Sequence, residues 1–137
     1  MITYWENRQR RNSTLPPMAH IASWNIRGLN WPNKQEDVKL FLQLNNIGLI
    51  GLLETKVKRQ KMHNVADMIF QGWDWANNCD ISNGRIWVAW KPGIFRVSIQ
   101  EKSDQFIHCA VTHLQDNKHF HITYIYGHNH ELQRQPL

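Results

Sequence analysis

The sequence predicts an α/β domain of the α+β kind, a βαβ start followed by mostly antiparallel strands. Three observations predict it. Two short apolar runs, His20 to Trp24 and Ile47 to Leu53, flank one segment of helical period. Beyond residue 72, five strand-like runs are separated by Asn83-Gly84, Pro92-Gly93 and Gln115-Asp116-Asn117-Lys118, all of which carry turn chemistry. A hydrophobic content of 42% with seven tryptophans is enough to build a packed core.

Residues 1–18 are polar and basic and close on Leu15-Pro16-Pro17, so a disordered basic extension is expected there, with the domain occupying 19–137. His20 to Trp24 reads as a buried strand that leads into a loop containing Arg27-Gly28 and Trp31-Pro32. Asn33 is placed as an N-cap, with Glu36 three residues on completing a capping box. Val38, Phe41, Leu42 and Asn45 then give an amphipathic helix over 34–45. The run 47–53 is apolar throughout, as expected for a strand covered on both faces and parallel to the first. A second helix is expected at about 58–70, where Met62, Val65, Ala66 and Ile69 share one face. Strands follow at 73–77, 84–90, 94–102, 106–114 and 119–126, with Trp87 and Trp90 in the core.

The chain has 137 residues, the length of one domain or part of one, and its net charge of +5 suits a polyanionic partner. Cys79 and Cys109 lack metal-site spacing and read as reduced thiols of an intracellular protein. No apolar run approaches the ~18 residues of a membrane span. The first twenty residues carry Arg8, Arg10 and Arg11 without an apolar core, so they are not a secretory signal.

Each of the first two strands ends in an oxygen-bearing side chain, Asn25 in one and Glu54 in the other. If the strands are parallel neighbours, both emerge at the carboxyl edge of the sheet, where open α/β sheets place their chemistry. One carboxylate and one amide oxygen suit a hard cation that keeps several waters. Blander roles compete: Glu54 as a strand-end carboxylate paired with Lys56 or Arg27, and Asn25 as a turn former ahead of Gly28. Lys56, Lys58, Arg59 and Lys61 form either a solvated helix start or a track for a nucleic-acid backbone. His119 with His121, and His128 with His130, suggest zinc. No cysteine or carboxylate stands at tetrahedral-site spacing, which leaves them as surface or half-buried histidines.

Five landmarks occur in order: Ser23-Trp24-Asn25-Ile26-Arg27-Gly28-Leu29-Asn30, Leu52-Leu53-Glu54-Thr55-Lys56, Gly84-Arg85-Ile86-Trp87, Ile107-His108-Cys109 and Tyr126-Gly127. With them the chain resembles the N-terminal half of an endonuclease/exonuclease/phosphatase domain. Within that family it is most similar to the apurinic/apyrimidinic-endonuclease-like nuclease of plant LINE-type (non-LTR) retrotransposons. The resemblance implies part of a four-layer α/β sandwich and hydrolysis of phosphodiester bonds in DNA, nicking the target site for reverse transcription. It implies a Mg²⁺ cofactor, with Mn²⁺ as the alternative. Glu54 matches the metal-binding glutamate and Asn25 the asparagine beside it; Tyr126 and Asn129 match the pair that holds the scissile phosphate. The partners it implies are DNA, the remainder of the nuclease domain and a reverse transcriptase, with nuclear access and no membrane.

The departures are as informative. No aspartate begins an Asp-x-Asn triplet, and no Ser-Asp-His occurs; Ser103-Asp104-Gln105 ends in the wrong residue. The family's water-activating base is therefore missing. The expectation is a nuclease fragment, incomplete by itself, with a large apolar patch on an uncovered sheet face. The alternative is a non-catalytic nucleic-acid-binding or interaction remnant.

Overall fold

The computed structural model describes residues 2–5 and 19–127. Strand β2 (His20–Asn25) leads through helix α1 (Pro32–Leu44) to strand β3 (Ile47–Leu53), and helix α2 (Arg59–Ile69) follows. Strands β4 (Asp74–Asn77), β5 (Ile86–Trp90), β6 (Phe95–Lys102), β7 (Phe106–His113) and β8 (Lys118–Ile125) complete the set. The expectation of a disordered extension is corrected at its start: Ile2–Trp5 form strand β1, antiparallel to β2, with Ile2 opposite Trp24 and Trp5 opposite Ile21. An otherwise open edge of β2 offers unpaired backbone groups, and this segment of β-branched and aromatic residues satisfies them.

One sheet has the order β1-β2-β3-β5-β4 and the other β6-β7-β8. The βαβ reading holds, since β2 and β3 are parallel neighbours; β5 then pairs antiparallel with β3. The central strands β3 and β5 are buried because they are covered on both sides. On one side Ala22, Ile50, Leu52 and Trp87 pack against Val38 and Leu42 of α1 and Met62, Val65, Ala66 and Ile69 of α2. On the other, Leu49, Ile86 and Val88 meet Phe95, Ile107, Cys109, Val111 and Tyr124 of the second sheet. The described residues thus form three layers: helices, a five-stranded sheet and a three-stranded sheet. Burial pushes the Cys109 thiol up to about 12, so it stays protonated as a structural residue.

Helix α1 starts earlier than expected and without the capping box. Trp31 is the N-cap residue and Pro32, with its fixed φ, occupies the first helical position; no side chain caps the end. The Asn33 side chain accepts only from the adjacent Lys34 N–H, at 3.0 Å.

The outer face of the second sheet is not the apolar patch expected. Its inward positions took most of the hydrophobes, and its outward positions are mainly polar, His108, Thr112, His119, His121 and Thr123 among them, with Phe106 and Ile125 as apolar exceptions. His108 Nδ1 and the Thr123 hydroxyl lie 2.6 Å apart, and the Thr112 hydroxyl and His119 Nδ1 lie 2.9 Å apart. The His108 and His121 rings stack with centroids 5.2 Å apart. No group of three or more metal-ligating His, Cys, Asp or Glu side chains is found among the described residues. His128 and His130 lie outside the described residues. Among the described residues no helix is long and apolar enough to cross a membrane.

The two sheets approach closely where β3 carries Gly51. A Cβ at that position would collide with the Tyr124 ring, which is buried against it. Gly51→Ala is therefore expected to lower stability by about 1–3 kcal/mol in urea unfolding, the usual cost of overpacking. In a Tyr124→Leu background that penalty should shrink, and an equal penalty in both backgrounds would contradict this packing.

Candidate metal and phosphate site

Parallel pairing puts the ends of β2 and β3 side by side. Asn25 is in register with Leu53, and the pairing continues past both strands. The Ile26 N–H donates to the Leu53 carbonyl at 3.0 Å, Gly28 to Glu54 at 2.8 Å and Leu29 to Thr55 at 2.9 Å. These three bonds fix the backbone of both loops at the carboxyl edge. By the two-residue strand period, Asn25 lies on the side of Ile21 and Leu53, which is the side facing the second sheet.

Regular alternation would send Glu54 to the opposite side. Its backbone instead adopts φ +60°, in the left-handed region, which breaks the alternation. Arg27 (φ 54°) and Lys56 (φ 54°) share this conformation. Three non-glycine residues held this way in two adjacent loops mark a site whose geometry is imposed by its surroundings. The Glu54 side chain is buried, and it faces Tyr126, which packs against the inter-sheet core just beyond β8.

A sequence-predicted trio is thus brought to one rim: Asn25, Glu54 and Tyr126. Asn129 lies outside the described residues. The Asn25 Oδ1 atom is buried and has no hydrogen-bond partner among the described residues. Leaving such an acceptor unpaired costs about 1–3 kcal/mol, so it calls for a ligand. Glu54 Oε1 accepts from Lys56 Nζ at 3.1 Å, so the ordinary ion pair considered from sequence also exists. Burial first, and then the Glu54 carboxylate, push the Tyr126 phenol above its usual range; Arg85 and Lys56 pull the other way. Tyr126 therefore stays a hydroxyl donor at neutral pH.

Sequence reasoning missed two contributors. Arg85, from the β4–β5 connection, reaches the same rim, while its carbonyl accepts from the Thr55 N–H at 3.1 Å and from the Thr55 hydroxyl at 3.3 Å. Asn78, fully buried, ties that connection together: Oδ1 accepts from the Ile86 N–H and Nδ2 donates to the Ser103 carbonyl, each at 2.8 Å. An arginine after Asn-Gly was a visible signal for the first; nothing in the sequence marked the second.

An acid–histidine pair does exist, but at the wrong end. His113 Nδ1 and Asp116 Oδ1 are 2.7 Å apart in the β7–β8 turn. Tyr126 lies beyond the opposite end of those strands, since its N–H donates to Gln105 just before β7. The eight residues of β7 separate the two by roughly 20 Å. Ser103-Asp104-Gln105 forms the β6–β7 turn, where the Ser103 hydroxyl accepts from the Gln105 N–H at 3.1 Å.

The chain has the fold of an endonuclease domain. A solved structure, the endonuclease domain of TRAS1, a telomere-specific non-LTR retrotransposon, superposes with a TM-score of 0.59 at 10% identity. The match covers 82% of this chain and 47% of the TRAS1 domain, so the chain spans about half of that domain's length. No protein-family model and no curated protein sequence matches. The TRAS1 likeness supports the fold expected from the landmark residues, with both sheets and the helical layer in place.

The Tyr126–Glu54 contact has a direct readout. Glu54→Gln removes the charge that raises the Tyr126 phenol, so its ionisation should move to lower pH while staying elevated by burial. Ultraviolet difference titration against Tyr126→Phe measures this, and an unmoved titration would show that the two groups do not face each other.

Proposed function

We propose that this chain is the metal-side and phosphate-side part of a divalent-cation-dependent DNA phosphodiesterase, of the LINE-type retrotransposon nuclease lineage its landmark residues resemble. The observation that carries the proposal is the orphaned, buried Asn25 Oδ1 on the same rim as the buried Glu54 carboxylate. That donor set fits Mg²⁺ or Mn²⁺, hard cations that accept one or two protein oxygens and keep the rest of their shell as water. Asn25 and Glu54 are the residues that would hold the ion. When bound, it supplies charge neutralisation at the phosphoryl group.

The remaining work belongs to this chain's own side chains. Tyr126, kept protonated, donates to a non-bridging phosphate oxygen. Lys56 and Arg85 lie close enough to affect the Tyr126 phenol and add positive charge where a phosphate would rest. The hydrogen-bonded acid–histidine pair His113–Asp116 is distant from this rim, and the sequence has no Asp-x-Asn or Ser-Asp-His. Our reading is therefore of a chain that binds cation and DNA in its own right and cleaves poorly without a supplied base. A DNA substrate requires nuclear access, and a reverse transcriptase is the expected companion activity.

Mn²⁺ titration by calorimetry and a plasmid-nicking assay test this together. Wild-type protein should bind one Mn²⁺ and leave supercoiled DNA largely intact. Glu54→Gln should weaken Mn²⁺ by at least ~10-fold, since even indirect disturbance of a metal ligand costs ~10–100-fold. Absence of Mn²⁺ binding by the wild type would refute the metal role. Robust nicking that Glu54→Ala abolishes would refute the missing base.

A further inference from the structure

Beside the Glu54 rim, the loop 55–59 and the connection 79–85 enclose a cleft of ≈ 270 Å³. We propose that this cleft is a second phosphate site, taking one backbone phosphate of the same nucleic-acid strand whose reacting phosphate lies at Tyr126. The proposal rests on the reading of the chain as DNA-binding, and it adds a position and a direction to that contact.

Charge is the first argument. Lys56, Arg59 and Arg85 line the cleft, and no carboxylate does. Lys56 is ion-paired to Glu54, but neither arginine meets a carboxylate among the described residues. Asp80, the acid of the connecting loop, is bound instead by Lys102 Nζ at 2.9 Å. Cys79 also lines the cleft, and burial raises its thiol above the ordinary range, so it contributes no negative charge. Two guanidinium groups that make no direct ion pair among the described residues line the walls of the cleft, with Asp80 within electrostatic range of Arg59, and they leave a net positive potential in it. Their planar donor forks match phosphate geometry better than lysines would.

Preorganisation is the second. The Arg59 guanidinium is held by the Cys79 carbonyl at 3.3 Å, which ties one wall to the other. Thr55 anchors the Arg85 backbone from the floor. Asn78 fixes the far wall, and Gly84 is required there because a Cβ would collide with the Asn78 carbonyl. An anion entering this cleft meets donors already in place, so little ordering entropy opposes binding. Continuity is the third: Lys56 lines the cleft and also touches Glu54, so the two sites share a wall. A polymer of phosphates can occupy both at once, which a free anion cannot.

The test is the salt dependence of binding to a fluorescent duplex oligonucleotide, using the full chain. Arg59→Ala and the Arg59→Ala/Arg85→Ala double variant should flatten the plot of log affinity against log salt by about 1, the contribution of one phosphate. Arg59→Ala should retain Mn²⁺ binding, whereas Glu54→Gln weakens it, which separates failure of the cleft from failure of the metal site. Arg96→Ala, an exposed arginine on β6, should leave the slope unchanged. Arg59→Ala alters an exposed side chain and decides the matter even where the double variant does not fold. An unchanged slope in Arg59→Ala, or an equal loss in Arg96→Ala, overturns the proposal. So does a variant that loses inorganic phosphate but keeps the duplex slope, which would make the cleft a free-anion site. A wild-type chain with no salt-dependent duplex binding overturns it as well.

Discussion

The parallel pairing of β2 with β3, carried three hydrogen bonds beyond the strands, is the constraint on which the rest depends. A hairpin would have brought the end of one strand beside the start of the next. A crossover through α1 brings two ends together, and with them the residues that follow. Ile26, Gly28 and Leu29 each donate across that junction to Leu53, Glu54 and Thr55. Both loops therefore inherit the rigidity of the buried sheet. Asn25 and Glu54 need no contact with each other to be held at one rim, because the backbone beneath them is already fixed.

That rigidity explains how the rim can hold unfavourable features. Arg27, Glu54 and Lys56 occupy left-handed backbone, where side chains other than glycine, asparagine and aspartate are uncommon. Among the described residues Asn25 buries an acceptor with nothing to receive, and Glu54 buries a carboxylate against Lys56 and Tyr126. Each feature costs stability, and the cost is concentrated in two short loops while the layers beneath are fully packed. A cation at this rim would satisfy the amide oxygen and take up the carboxylate, which is why the functional reading centres there. Tyr126, Lys56 and Arg85, the groups proposed to face a phosphate, come from three separate parts of the chain, and the inter-sheet contact is what lets Tyr126 reach the other two.

Much of this was legible in the sequence because period and turn chemistry are local. Both helices, and every strand from β2 to β8, were visible as runs of helical or strand pattern bounded by Gly, Pro or Asn, displaced by one or two residues at their ends. Met62, Val65, Ala66 and Ile69 were placed on a buried face, and they are buried. The failures were of a different kind. Strand β1 has a plain strand composition over four residues, and only the vacant edge of β2 gives it a partner. Asn33 looked like a helix cap, but Pro32 starts the helix before it. The polar character of the outer face of the second sheet was written in His108, His119, His121 and Thr123, yet which face was outward depended on sheet-to-sheet packing. Arg85 and Asn78 act through tertiary neighbours, so no spacing rule could assign them.

Where a bound cation sits decides most directly between this account and its rivals. Substoichiometric Mn²⁺ added to isotope-labelled protein broadens amide resonances near the ion. The account predicts selective broadening at Asn25 to Gly28, Glu54 to Lys56 and Tyr126, with the His108–His121 face unaffected. Broadening centred on those histidines, or no selective broadening at all, would contradict it.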